Sequence, residues 1–101
     1  MIHVLAFITA KPGMRERILE AWRDNVETVL AEDGCLAYEA VVDARGAAGF
    51  AQFGEDAFVV VERWTSMEAL RAHGAAPHML AYAGKVKDFT ASRAIHVLEA
   101  A

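Results

Sequence analysis

Three things are scarce in this chain: cysteine, basic clusters and long apolar runs. A lone Cys35 forbids an internal disulfide and suits a reducing, cytoplasmic setting. Ten Lys/Arg against 14 Asp/Glu leave a net charge of −4, with no basic tract, which argues against nucleic acid as a partner. No apolar run approaches the roughly 18 residues of a membrane span. Met1 leads directly into a strand-like run with no basic leader segment, so neither a membrane anchor nor a secretion signal is expected. Four His and one Cys show neither H-E-x-x-H nor C-x-x-C spacing, so no metal site is expected. Gly46, Gly49 and Gly54 fall in a loop rather than at a helix start, which excludes a phosphate-cradling turn. There is also no Ser or Cys nucleophile elbow, and Cys35 reads as buried rather than reactive.

What the chain has in excess is apolar surface. Hydrophobic residues make up 55% of 101 positions, a large share for one small domain spanning residues 1–101. A chain this size buries only about two-thirds of its unfolded surface. The surplus therefore predicts a protein–protein interface, and an obligate oligomer is expected.

Periodicity orders the elements. Residues 2–9 (IHVLAFIT) suit a strand with apolar character on both faces. Lys11-Pro12-Gly13 interrupts it. From Met14 to about Glu32 the pattern is helical, with Ile18, Leu19, Trp22, Val26, Val29 and Leu30 within roughly 120° of one another. Arg23 and Glu27 stand at i,i+4 on the outer face, and Asp33-Gly34 ends the helix. Strands follow at about 36–43 and 58–64, separated by a glycine-containing loop whose large apolar groups are Phe50 and Phe53. In Thr65-Ser66-Met67-Glu68, Thr65 caps a helix while Glu68 reaches back, and Gly74 closes it. Pro77 opens a third helix ending near Asp88, and a last strand covers about 92–99. The order β-α-β-β-α-β predicts an α+β, ferredoxin-like antiparallel sheet. Its helices can cover one face; the other must pack on something, and a second copy is the expected cover.

Several polar residues stand in apolar places. Arg15 reads as a side chain snorkelling from the first turn. Asn25, in mid-helix, is either a packed structural amide or a ligand-facing one. Glu62 shares a strand face with Phe58, Val60 and Trp64; buried, its pKa would rise and it could act as a base, whereas paired with an Arg it would only hold the sheet. Trp64 packs the core or walls a pocket. His73, at a helix end, is either a surface cap or an imidazole hanging into a cavity, able to take a phenolic proton near neutral pH. His78 and Tyr82 are i,i+4 neighbours that could share a hydrogen bond. His3 and His96, on the outer strands, read as structural or interfacial.

Lys11-Pro12-Gly13, Gly34-Cys35-Leu36-Ala37-Tyr38-Glu39, Glu62-x-Trp64-x-Ser66-x-Glu68-Ala69-Leu70, and Ala72-His73 followed by Ala76-Pro77-His78-Met79 together resemble the antibiotic biosynthesis monooxygenase domain family, which includes quinol monooxygenases. The likeness spans almost the whole chain. It implies a dimeric α+β barrel, in which two ferredoxin-like sheets pack together as a homodimer. Each protomer then has a cavity between its helices and its sheet. The resemblance also implies oxidation of quinols, anthrones or polycyclic phenols by molecular oxygen without flavin, haem or metal, so no cofactor is expected. Carried over by position, His73 and Asn25 become the catalytic candidates. Trp64, Tyr82, Trp22 and Glu62 become candidates for contact with a small aromatic substrate. The loop over 43–57 is longer than the family's usual turn and could lid the pocket or reach the partner. The haem-degrading branch needs an Asn on the first strand and an axial His on the third helix; strand one has no Asn and Ala83-Gly84 offer no ligand, which disfavours haem degradation. An isomerase on the same scaffold, moving a proton next to a carbonyl, and a non-catalytic binding module for an aromatic metabolite are the competing readings.

Overall fold

A computed structural model describes residues 1–101 as four strands and three α-helices. In chain order these are β1 (Ile2–Ala10), α1 (Arg15–Leu30), β2 (Cys35–Val41), β3 (Ala57–Trp64), α2 (Met67–Ala75), α3 (Pro77–Val86) and β4 (Thr90–Leu98), with one 3-10 turn at Lys87–Phe89 before the last strand. The strands form one antiparallel sheet in the order β2-β3-β1-β4. This is the α+β ferredoxin-like arrangement the alternation of periods predicts.

The alternation of β1 decides which side is interior. Ile2, Val4, Ala6 and Ala10 are buried against the helices, while His3, Leu5 and Phe7 point to the other face. Pairing carries the pattern sideways: Ile2 stands opposite Trp64, Val4 opposite Glu62, and Ala6 opposite Val60. From α1 the core receives Ile18, Leu19, Trp22 and Val29. Trp64, Phe58, Ile18, Val4 and Val29 are the largest fully buried side chains. Each contributes about 1.5–3 kcal/mol or more by leaving water, so this cluster dominates the fold's stability. Leu30, expected in the stripe, is instead exposed, because α1 ends there.

Local chemistry corrects several sequence expectations. Ser66, not Thr65, caps α2, its hydroxyl accepting from the Ala69 N–H at 3.1 Å. Gly74 lies inside α2, which runs on to Ala75; the extended Ala76 before Pro77 is what separates α2 from α3. Arg23 pairs with Glu16 at 2.6 Å rather than with Glu27. Gly34 has φ +84° at the start of β2, and a Cβ there would meet Ala69 Cβ and Thr65 Oγ1 at 2.6 Å. Glycine is required at that point both for its backbone and for its lack of a side chain. Arg15 does more than snorkel: its guanidinium donates to the carbonyls of Gly54 and Ala57, tying α1 to the end of the 42–56 loop.

That loop is fastened at its base. Asp43 accepts from the Phe53 and Gly54 amides at 3.0 and 2.9 Å, and Phe53 rests on Phe7 with ring centroids 5.6 Å apart. Since Phe7 is on the sheet face turned away from the helices, the loop reaches that face. Around it the face stays open: Val61 and Leu98 are exposed there, and β4 also exposes Ile95 and Val97 on its opposite side.

Candidate active site

Two groups of polar and aromatic side chains lie on the helix side, joined by one carboxylate. The inner group is buried. Glu62 accepts from the Trp64 indole N–H at 3.0 Å, and the two side chains are nearly sealed from solvent. Trp64 lies against His73, ring centroids 4.6 Å apart, and His73 meets the Tyr38 ring edge-on at 5.6 Å. Tyr38 in turn stacks on Trp22 at 5.5 Å with the planes 13° apart. The Trp22 Nε1–H is buried with no protein partner.

Burial governs the acidities here. It pushes the Glu62 carboxyl above the usual carboxylate range, against the opposing pull of the Trp64 N–H and the His73 ring. It raises the Tyr38 phenol well above its ordinary value and the Tyr82 phenol to about 12. Both phenols are therefore O–H groups at neutral pH: donors, not bases. The half-buried Cys35 thiol is also pushed up by burial, consistent with an unreactive thiol.

The outer group lines a cleft of about 150 Å³ between α1 and α3. Ala21, Asp24 and Asn25 come from α1; His78, Ala81, Tyr82 and Lys85 from α3. Spacing explains both sets, since positions three and four apart share a helix face. Asn25 Nδ2 lies 3.3 Å from Met79 Sδ, a contact across the same helix pair. No sheet residue lines the cleft. Trp22, Tyr38, Phe58 and Trp64 belong to the core between helices and sheet, and the cleft itself is bounded by α1 and α3 alone. No residue of the 42–56 loop lines the cleft either, so the loop does not lid it.

Glu32 links the two groups. One of its oxygens, Oε2, accepts from His73 Nδ1 at 2.8 Å and from His78 Nε2 at 2.9 Å. Where Glu32 accepts from both rings, the other nitrogen of each imidazole, His73 Nε2 and His78 Nδ1, is left for other partners. Three elements converge to make this contact. Glu32 sits in the turn after α1, His73 near the end of α2, and His78 in the first turn of α3. The Ala76–Pro77 corner folds the two histidines toward one point.

The site residues expected from sequence thus divide. Asn25 and Tyr82 line the cleft; His73, Trp64, Glu62 and Trp22 lie in the buried layer behind it. Glu62 pairs with Trp64 rather than with an arginine, and His78 bonds Glu32 rather than Tyr82. Neither Glu32 nor Tyr38 stands out in the sequence as a site residue. Tyr38 was legible as an inward position of β2, but Glu32 stands at a helix end before Asp33-Gly34, where an acid ordinarily faces water.

Fold and site together define a ferredoxin-like α+β domain with a small helix-bounded cleft backed by an imidazole–carboxylate cluster. The chain belongs to the antibiotic biosynthesis monooxygenase family, whose family model matches residues 1–85. It is 36% identical over 101 residues to "Probable quinol monooxygenase YgiN" of Escherichia coli (strain K12), covering 98% of this chain and 97% of that one. Among solved structures it resembles Rv0793 from Mycobacterium tuberculosis, with a TM-score of 0.81 at 27% identity, covering 99% of this chain and 94% of that one. PA3566 from Pseudomonas aeruginosa is equally similar in fold, with a TM-score of 0.81 at 26% identity over 99% of this chain and 93% of that one. No helix is long and apolar enough to cross a membrane.

Proposed function

We propose that residues 1–101 act as one domain, a cytoplasmic, cofactor-independent monooxygenase that oxidises a quinol-like aromatic with molecular oxygen. The observation that carries this reading is the Glu32-bridged histidine pair, set between a buried aromatic layer and a ring-sized cleft in a chain of the monooxygenase family. A cavity of about 150 Å³ accommodates benzene, so the cleft favours a single phenolic ring over a polycyclic one.

The chemistry needs little from the protein beyond proton handling and shelter. A hydroquinone that gains one oxygen atom becomes a hydroxyquinone, and the second oxygen atom leaves as water. The ring supplies all the electrons, so no external reductant is required. Deprotonating the phenol makes the ring electron-rich enough to pass an electron to oxygen. In this reading His78, facing the cleft, accepts that proton. Glu32 offsets the resulting charge, and His73 holds Glu32 from the buried side. Asn25 and the Tyr82 hydroxyl are the neutral donors placed to orient the substrate oxygens. Trp64 and Tyr38 pack against His73, with Glu62 bonded to Trp64 and Trp22 stacked on Tyr38 behind them.

The same set could move a proton beside a carbonyl without oxygen, and this isomerase reading is favoured by the acid–base cluster alone. Oxygen dependence separates the two. Oxygen-electrode assays on metal-stripped protein with a panel of hydroquinones should show uptake that falls in His73→Ala and Asn25→Ala. Uptake unchanged by both would refute the assigned site.

Oligomeric state belongs to the same proposal. The sheet face bearing Leu5, Phe7 and Val61 is covered by a second copy, giving a homodimeric α+β barrel. Exposed Ile95 and Val97 on the far side of β4 imply that the partner wraps this edge as well.

A further inference from the structure

The corner between α2 and α3 gathers three ligand-type side chains that no sequence motif connects. His73 Nδ1 and His78 Nε2 both point at Glu32 Oε2, at 2.8 and 2.9 Å, and the three donor atoms lie within 4.8 Å of one another. Two imidazole nitrogens and one carboxylate oxygen converging on a point suit a borderline transition-metal ion. We propose that Glu32, His73 and His78 form a binding site for a divalent transition-metal ion, with Zn²⁺ as its probe.

The geometry asks the Glu32 carboxylate to withdraw and the two imidazoles, whose facing nitrogens lie within 4.8 Å of each other, to close toward the spacing of a shared ion. Zinc holds such ligands at about 2.0–2.2 Å, which places neighbouring donors of a tetrahedral set roughly 3.3 Å apart. The O···N distances here are only about half an ångström shorter than that spacing. Glu32 lies in a turn rather than a helix, so its carboxylate can withdraw by that amount while the ion takes the point of convergence. One negative charge offsets part of the ion's charge. Side-chain exposures of 8% for His73, 14% for Glu32 and 25% for His78 leave the site shielded yet open on one side. That side adjoins the α1–α3 cleft, since His78 lines it, and the cleft provides both an entry path and room for a fourth ligand. Sequence spacing gives no hint of the site because the Ala76–Pro77 corner, not a helical repeat, brings the histidines together.

Occupancy would compete with the oxidation proposed above, a consequence that rests on that reading. Metal binding at His73 Nδ1 and His78 Nε2 transfers the remaining ring hydrogen to the opposite nitrogen of each imidazole. Neither ring could then accept a proton from substrate. The ion would act as an inhibitor.

The test is calorimetric titration of chelator-treated protein with ZnCl₂, repeated with Co²⁺ to read tetrahedral ligand-field bands. One ion per chain is expected. Glu32→Gln and His78→Ala should each weaken binding by at least the roughly 10- to 100-fold that loss of even an outer-sphere partner costs. His3→Ala and His96→Ala, both distant on the sheet, should bind as the parent does. Circular dichroism confirms that each variant is folded; His78 is partly exposed, so His78→Ala is the safer of the two. Absence of binding at micromolar zinc, binding that survives both substitutions, or binding lost with His96→Ala would each overturn the site. A protein that binds zinc at this site yet, once stripped of metal, takes up no oxygen with any hydroquinone would refute the oxidation and leave the site standing.

Discussion

Trp64 and Glu62 share one buried hydrogen bond at the end of β3, the indole N–H donating to the carboxylate at 3.0 Å on the helix side of the sheet. The bond satisfies both polar groups where water does not reach. It only partly offsets the burial of the acid, whose pKa is raised by loss of solvent.

A sign follows for stability. A carboxyl whose folded pKa is raised contributes stability that is fully present below its unfolded pKa and lost as pH rises through the folded value. Glu62→Gln keeps an acceptor for the Trp64 N–H but cannot ionise. It should raise the thermal midpoint at pH 7–8 relative to the parent, and the gain should shrink as pH falls toward the ordinary carboxylate pKa. Midpoints followed across pH check this; a gain that grows on acidification would contradict it.

Gly34→Ala should destabilise the fold by about 1–3 kcal/mol, combining a left-handed backbone penalty with a clash. Its new Cβ would meet Ala69 Cβ and Thr65 Oγ1 at 2.6 Å. Gly46→Ala, also at positive φ but with nothing within 4 Å, should cost less. Urea denaturation of the pair separates the backbone penalty from the clash.

The α1 stripe, both central strands and the β-α-β-β-α-β order were legible because hydrophobic period alone decides them. The site was half legible. Asn25 and Tyr82 declare themselves as polar groups on apolar helix faces. Glu32 does not, because its role arises only when the turn after α1 closes on a corner more than 40 residues later, with His73 at a separation of 41. Arg23 likewise could not be assigned to Glu16 over Glu27 from spacing, since exposed ion pairs are decided by rotamers worth fractions of a kcal/mol. The position of the cleft between α1 and α3 was not legible, because it depends on how the two helices seat over the large core residues Trp22, Tyr38, Phe58 and Trp64.

Filling that space is a test that spares the fold. Ala81 lines the cleft and is exposed, so Ala81→Leu should leave stability within about 0.5 kcal/mol of the parent. It should raise KM for a hydroquinone on the order of tenfold, the scale set by a few methylenes in an apolar pocket. Unchanged kinetics would show that the substrate rests elsewhere.

Val61, exposed in the middle of the open sheet face, tests the assembly. Light scattering behind size exclusion should give twice the chain mass for the parent, and Val61→Asp should shift it toward the monomer. A parent that runs as a monomer at micromolar concentration would remove the proposed sheet-to-sheet pairing.

The most direct measurement is a single-turnover reaction of metal-stripped protein with a monocyclic hydroquinone under ¹⁸O₂, read by mass spectrometry. One labelled atom in the quinone product and one in water, with the yield greatly reduced in His78→Ala, is the predicted result. Product without label, or oxidation that proceeds equally well without the protein, would contradict the account.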